Sequence, residues 1–355
     1  MAVTIKDVAR LAGVDPSTVS RVIADNPRIS AKTKVKVLKV MEELDFHPNA
    51  IARSLANRST KTIGVIMPHS TEQVFVNPFF TEVMRGIGVS AFKRGYNVLF
   101  STGSSSDEEY KATSRLVNEK RVDGLILLTS RIGDKTIESL RKKHFPFVVV
   151  GKPSNMEDVN WVDNDNLEAG FQATEYLIKL GHERIGFIGG EFTYVFMGER
   201  FRGYKKALDS NDIKFRKEFL SLGEFVEEGG YSAVKKLLDQ KDPPTAIVVA
   251  DDLMAFGVMR AIKERGLTIP GDISVISFNN TPLASYVDPP LSSMEIFVYD
   301  LGYNASETLI SQLQETGGHI RHIIIPASLR DRRSTGSIPS SSINTDVYYE
   351  TKASK

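Results

Sequence analysis

Ser17 and Arg21 stand four residues apart in the stretch Asp15-Pro-Ser-Thr-Val-Ser-Arg-Val-Ile23, so a helix here carries both on one side. A hydroxyl and a guanidinium at this spacing can hydrogen-bond base edges or phosphates. Val19, Val22 and Ile23 form the opposite face, which leaves one face to pack and one free to read. The elements needed to hold this helix are legible around it. Thr4 is placed to cap a first helix with Asp7 near the positive end of its dipole, and Ile5, Val8, Ala9 and Ala12 recur on one apolar face. Gly13 stops that helix. Asp15 caps the second, with Pro16 at its first position, where the missing amide hydrogen costs nothing. The small Ala9 and Gly13 permit the two helices to cross closely, as in a helix-turn-helix. A polar face near a chain start is often merely solvated; spacing, turn and residue types together favour DNA binding.

Charge supports this. Residues 1–60 hold ten Lys and Arg against six Asp and Glu, a net +4, which leaves −3 for the rest of a chain whose total is +1. A basic head on a nearly neutral body suits a phosphate-contacting module joined to something else. The length of 355 residues predicts two or three domains, and 41% hydrophobic with 25% charged residues is an ordinary globular composition. No apolar run is long enough to span a bilayer and no charged-then-apolar leader opens the chain, so a cytoplasmic protein is expected. The absence of cysteine excludes disulfides, thiolate nucleophiles and cysteine metal sites. There is no G-x-G-x-x-G after a first strand and no P-loop, and among the histidines only His319 and His322 have ligand-like spacing, which fits a solvated strand edge better than a metal site. No enzyme activity, metal or cofactor is expected.

Along the chain, Ser30 caps a third helix on which Val35, Leu38 and Met41 or Glu42 recur at three-to-four spacing and are expected to close the core of the head. Its lysines fit a solvated face and phosphate contact equally. Residues 49–56 form a segment too short to be a stable isolated helix in water, a plausible hinge. From Thr62 the pattern alternates. Strands are predicted at 62–67, 97–101, 124–128 and 147–150 with helices between them, then a second series at 184–189, 219–222, 246–250 and 274–278. That is an α/β chain with two doubly wound parallel sheets, and a ligand cleft between the carboxyl ends of their strands.

The ordered set of motifs resembles the lactose-repressor family of bacterial transcription regulators over roughly residues 3–336. The matching pieces include Thr4-Ile-Lys-Asp-Val-Ala, Thr18-Val-Ser-Arg-Val, Pro48-Asn-Ala-Ile-Ala-Arg-Ser-Leu55, Asn77-Pro-Phe-Phe80, Arg200-Phe-Arg-Gly203, Asp251-Asp-Leu-Met-Ala-Phe-Gly257 and Leu329-Arg-Asp-Arg-Arg. The wording from Met67 to Gly86 looks most like members that regulate maltose operons. The resemblance implies a helix-turn-helix headpiece at 1–47, a hinge and linker at 48–61, a core with the fold of periplasmic sugar-binding proteins at 62–336, and a flexible tail at 337–355. Three crossings between lobes, near Val162-Asp163, Leu291-Ser292 and Pro326, would divide the core into a first lobe of about 62–162 and 292–325 and a second of about 163–291 and 326–336.

The resemblance also assigns roles. Pro16, Ser17, Thr18 and Arg21 fall on the reading positions with Ser30 beside them, and Arg21 is the residue type that bonds guanine O6 and N7 together. Leu55 corresponds to a leucine that wedges into the minor groove, and Ala52 allows two hinge helices to approach. Phe80, Arg200, Phe225, Asp251 and Asn279 are expected in an effector cleft for a small-molecule sugar, of maltose or maltodextrin type. Phe80 and Phe225 have ordinary core as the alternative reading, and Asn279 stands where many relatives have Asp. The implied partners are double-stranded operator DNA, the sugar and a second copy of the chain; a corepressor protein is compatible with the resemblance. The implied function is repression of a sugar-catabolic operon. The alternative from another class is a sugar-binding or sugar-processing protein without operator binding.

Overall fold

A computed structural model describes residues 3–24, 26–46, 59–154, 158–314 and 319–338. Residues 48–58 with Ala52 and Leu55, and most of the expected tail, lie outside the described residues.

The head is three helices, α1 (Ile5–Ala12), α2 (Pro16–Ile23) and α3 (Ala31–Glu43). Both the Thr4 amide and its hydroxyl donate to the Asp7 carboxylate, at 3.0 and 2.7 Å, so Asp7 stitches the start of α1. Gly13 ends α1 at φ +59°, a left-handed conformation that a side chain would strain, and Asp15 accepts from the Ser17 amide at 2.7 Å to cap α2. Val8, Ala9, Ala12, Val19, Val22 and Val37 form the buried centre. The third helix turns differently from the expected phase. Met41 packs inward as expected, but Val35 and Leu38 are exposed, and Val37, Val40 and Leu44 face inward in their place. In Val35-Lys-Val-Leu-Lys-Val-Met41 both registers satisfy three-to-four spacing, and only docking against α1 and α2 selects between them.

The core holds two six-stranded sheets. The first contains β1 (Thr62–Pro68), β2 (Asn97–Gly103), β3 (Gly124–Leu127), β4 (Phe147–Val150), β5 (Asn160–Asn164) and β11 (His322–Ile325), all parallel, in the order β11-β5-β4-β3-β1-β2. The second contains β6 (Ile185–Gly189), β7 (Leu220–Leu222), β8 (Ala246–Val249), β9 (Ser274–Phe278), β10 (Ser292–Glu295) and β12 (Ser328–Arg330), ordered β12-β10-β9-β8-β6-β7, with only β12 antiparallel. Buried strands such as Phe147-Val-Val-Val150 are continuous apolar runs because helices cover both faces.

One boundary differs from expectation. Ser292 pairs with Ile276, which puts β10 in the second sheet, so the chain returns to the first lobe at Ile296-Phe297 and not at Leu291-Ser292. The polar run Ser292-Ser-Met-Glu carries no strand signal of its own. It is held because the Ser293 hydroxyl donates to Asp252 at 2.8 Å and the Ser292 amide to Ser334 at 2.7 Å. Strand β5, Asn-Trp-Val-Asp-Asn, is equally unmarked in sequence and is made by pairing on both sides. Its last residue ties the crossings together: the Asn164 amide donates to Ile296 O at 2.9 Å and to Ile325 O at 2.8 Å, so one side chain at the first crossing holds the carbonyls of the other two.

Three helix pairs approach through reciprocal glycines. These are α5 (Pro78–Lys93) with α12 (Val298–Gln314), α8 (Asn166–Lys179) with α9 (Val195–Ser210), and α10 (Glu227–Leu238) with α11 (Asp252–Glu264), while α4 (Thr71–Val76), α6 (Ser106–Asn118) and α7 (Lys135–Lys142) stand outside these pairs. A Cβ on Gly170 would lie 2.2 Å from the Arg200 carbonyl oxygen, and one on Gly203 2.1 Å from that of Leu167; Gly86 with Gly302 and Gly230 with Gly257 repeat the arrangement. Backbone contact at α8 and α9 is what sinks Arg200 deeply enough to reach the space between the sheets.

Candidate functional sites: a reading helix and an interlobe cleft

On the head, Pro16, Ser17, Arg21 and Ser30 are exposed and Thr18 is half-buried, while Val19 and Val22 beside them are buried. Arg21 has no ion-pair partner among the described residues, and the Ser30 hydroxyl meets Thr33 Oγ1 at 2.8 Å as it caps α3. The Arg21 guanidinium and the Ser17 hydroxyl therefore sit on an exposed face whose underside, Val19 and Val22, is fixed by packing.

Between the lobes, Phe80, Arg200, Phe225, Asp251 and Asn279 line one cavity of about 100 Å³, in the company of His69, Asn77, Asp163, Asn164, Asn166, Tyr194 and Phe196. These residues, far apart in the chain, meet because Asp251, Asn279 and Phe225 lie just beyond the carboxyl ends of strands, and Phe80 and Arg200 lie on helices between a strand and the next. Arg200 is the centre. Its Nε donates to Asn166 Oδ1 at 2.9 Å and its Nη1 to Ala250 O at 2.7 Å, and its guanidinium stacks 4.4 Å from the Phe278 ring. Burial lowers its pKa to about 10, against the opposing pull of Asp163, Asp251 and Asp252. Those carboxyls are themselves raised by burial, Asp163 and Asp252 to about 6, in spite of the backbone and hydroxyl donors around them. Asp251 is also pushed up by burial, opposed by the Leu253 amide, Arg200 and a hydrogen bond from Asn77 of the other lobe. Asn77 of the first lobe and Asp251 of the second thus line the same cavity from its two sides.

Asn279 has φ +102° and donates its amide to Asp251 Oδ2 at 2.7 Å. An aspartate here would put two buried carboxylates in contact, so one would hold its proton. Asn279→Asp is expected to lower folding stability by about 1–3 kcal/mol near pH 7.5 and to recover as pH falls through the raised pKa of the new pair. Denaturant titrations of both proteins at pH 7.5 and 5.5 check this, and parallel pH profiles would refute it.

A wider cavity of about 790 Å³ opens from the first, shares His69, Asn77, Phe80, Tyr194 and Phe225 with it, and is lined further out by Gln73, Ser104, Arg131, Asp134, Lys135, Glu191 and Glu224. Its cations are already paired, Arg131 with Glu109 at 2.7 Å and Lys135 with Asp107 at 3.5 Å. Burial acts to lower the Arg131 pKa, but the buried Glu109 bonds outweigh it and hold the guanidinium charged. Tyr194, Phe196 and Phe225 form an aromatic cluster with centroids 5.7–5.8 Å apart. Gly190 makes room for it, since a Cβ there would meet the Phe225 ring at 2.2 Å. The lobes touch beside this cluster, where the Ile132 amide donates to Thr193 O at 2.9 Å.

Sequence reasoning missed His69, Asn77, Asp163, Asn164, Asn166 and Tyr194. Asn77 left a signal, because it caps α5 by accepting from Phe79 N at 3.0 Å in an Asn-Pro pattern; Tyr194 left none. His322, half of the spaced histidine pair, stacks on Trp161 at 4.7 Å.

Two family models match the chain, bacterial regulatory proteins of the lacI family at residues 4–49 and the periplasmic binding protein-like domain at 174–335. The HTH-type transcriptional regulator MalR of Streptococcus pneumoniae serotype 4 is 40% identical over 326 residues, 89% of this chain and 94% of that one. The chain belongs to the lacI family. The lac repressor dimer bound to operator and the anti-inducer ONPF superposes with a TM-score of 0.81 at 28% identity, covering 95% of this chain and 100% of that one. A transcriptional regulator CelR–cellobiose complex gives 0.74 at 29% identity, covering 94% and 99%. As a lacI-family member this chain is a DNA-binding transcriptional regulator, and its relatives are regulators, not enzymes. Among the described residues no helix is long and apolar enough to cross a membrane.

Proposed function

We propose that this regulator is a dimeric repressor of a sugar-catabolic operon whose operator binding is released by maltose or a maltodextrin in the interlobe cleft. The observation that carries the reading is the meeting of Phe80, Phe225, Arg200, Asp251 and Asn279 in one cavity between the lobes. Aromatic faces suit the C–H faces of a sugar ring, and directed amide, guanidinium and carboxylate groups suit its hydroxyls. The wider cavity gives room for more than one ring, and the pairing of Arg131 and Lys135 favours an uncharged ligand over a phosphorylated one. The likeness to MalR supports the maltose assignment, and the likeness to a cellobiose complex supports a disaccharide. Dimerisation follows from the reading helix, which covers too few bases alone for genomic specificity, so Pro16, Ser17, Thr18 and Arg21 of two copies would read a pseudo-palindrome.

A ligand shifts DNA affinity only by its differential affinity for two lobe arrangements, typically about 1–3 kcal/mol. In this reading the shift reaches DNA through residues 48–61, with Leu55 in the minor groove at the operator centre. A thermal-shift panel of glucose, maltose, maltotriose, cellobiose and glucose 6-phosphate, paired with gel shifts on genomic fragments, tests both halves. Maltose or maltotriose should raise the unfolding midpoint and release the retarded fragment. A response to the phosphorylated sugar alone would sink the ligand class, and the absence of any retarded fragment would favour a sugar-binding protein without operator binding.

A further inference from the structure

We propose that Asp123 is the positioning residue that fixes where the DNA-binding arm leaves the core, and thereby sets the half-site spacing the dimer accepts. Residues 59–61 connect the arm to β1, and all three are tied to this one carboxylate, which precedes β3. The Ser59 hydroxyl donates to Oδ2 at 2.6 Å and the Lys61 amide to Oδ2 at 3.0 Å. The Thr60 amide and hydroxyl donate to Oδ1 at 2.7 and 2.8 Å. An ionised carboxylate has about four acceptor sites, and four donors from three consecutive residues fill them. The clasp is closed from the other side, where the Asp123 amide donates to Thr62 O at 2.8 Å.

Lys61 is held further. Its φ is +50°, a strained conformation for a non-glycine residue, its carbonyl accepts from the Asn97 amide at 2.8 Å, and its ammonium lies 4.5 Å from the centre of the Tyr96 ring. A strained residue persists only where its surroundings over-determine it. A plain tether needs no such clamp. This one welds the last linker residues to the starts of β2 and β3, so the first lobe and the departure point of the arm move as one body. In a dimer, the distance between two such points then dictates which separation of half-sites both heads reach together.

The inference rests on the dimer reading, and the experiment separates the two. Full-length wild type, Asp123→Ala, Asp123→Asn and Thr60→Val are titrated by fluorescence anisotropy against a palindromic duplex that the wild type selects from random sequence. Copies of that duplex with one or two base pairs inserted at the centre are titrated in parallel. Wild type should disfavour the altered spacings by on the order of tenfold or more, and Asp123→Ala by about threefold or less, with weaker binding at the native spacing. Asp123→Asn, with acceptor capacity on one oxygen only, should fall between them, and Thr60→Val should shift less in the same direction. The salt dependence should stay as in wild type, because the phosphate contacts belong to the head. A merely structural defect lowers binding at every spacing alike and leaves the ratio untouched. That result, or wild-type spacing selectivity in Asp123→Ala and Asp123→Asn, overturns the inference while leaving the dimer standing. A wild type indifferent to spacing overturns both.

Discussion

Arg21→Ala is expected to bind operator and random DNA almost alike, with a loss of about 1–3 kcal/mol of discrimination at each half-site and unchanged salt sensitivity. The side chain is exposed and lies outside the buried cluster of Val8, Val19, Val22 and Val37 that holds the head together, so its removal leaves the head folded. The lysines of α3 stay in place for phosphates, and phosphate contacts position a protein without specifying a sequence. Competition titrations of operator against random duplex at two salt concentrations give both quantities. If the variant still prefers operator by the wild-type ratio, Arg21 is not the base-reading residue. Ser17→Ala, which keeps the backbone amide that Asp15 caps, should show a smaller effect in the same assay.

Arg200→Ala is expected to cost about 3–5 kcal/mol of core stability, the range for removing one partner from a buried charge cluster. The side chain is only 4% exposed, and its loss takes their buried guanidinium donor from the Asn166 carboxamide oxygen and the Ala250 carbonyl. It also removes a buried cation facing Asp163, Asp251 and Asp252, whose carboxyls would then hold protons still more firmly. Arg200→Lys restores charge without the planar stack on Phe278 or the two-directional bonding, and should recover only part of the loss. Urea unfolding followed by far-ultraviolet circular dichroism reads the difference, and a midpoint equal to wild type in Arg200→Ala would show the cluster to be energetically neutral. Because Arg200 lines the cleft, the same variant should lose its response to whichever sugar shifts the wild type.

The two sites were legible in the sequence to different depths. The head is written locally: Thr4 with Asp7, Gly13 at a left-handed turn, and Asp15 before Pro16 are signals within a few residues, because caps and turns are made from the backbone they sit on. The alternation of strands and helices in the core is legible for the same reason, since period and burial of one element need no knowledge of its neighbours. The cleft is different. Phe80, Arg200, Phe225, Asp251 and Asn279 share no spacing, and only the resemblance to a known family brought them together before the structure did.

What only the tertiary structure decided is whatever depends on a partner far along the chain. The face of α3 is chosen by α1 and α2, which is why Val37 is buried and Val35 exposed in a pattern that permits either. Strand β10 joins the second sheet because Asp252 and Ser334 satisfy its serines, and the glycines of α8 and α9 matter because each meets the other helix's backbone. Asp123 looks like an ordinary residue before a strand. It acquires a role when Ser59, Thr60 and Lys61, more than sixty residues earlier, fold back onto its four lone pairs. A sequence determines elements whose energies are local; it leaves to packing the choice among registers and the pairing of polar groups, because a hydrogen bond closed across sixty residues has no signature at either end until both are brought into place.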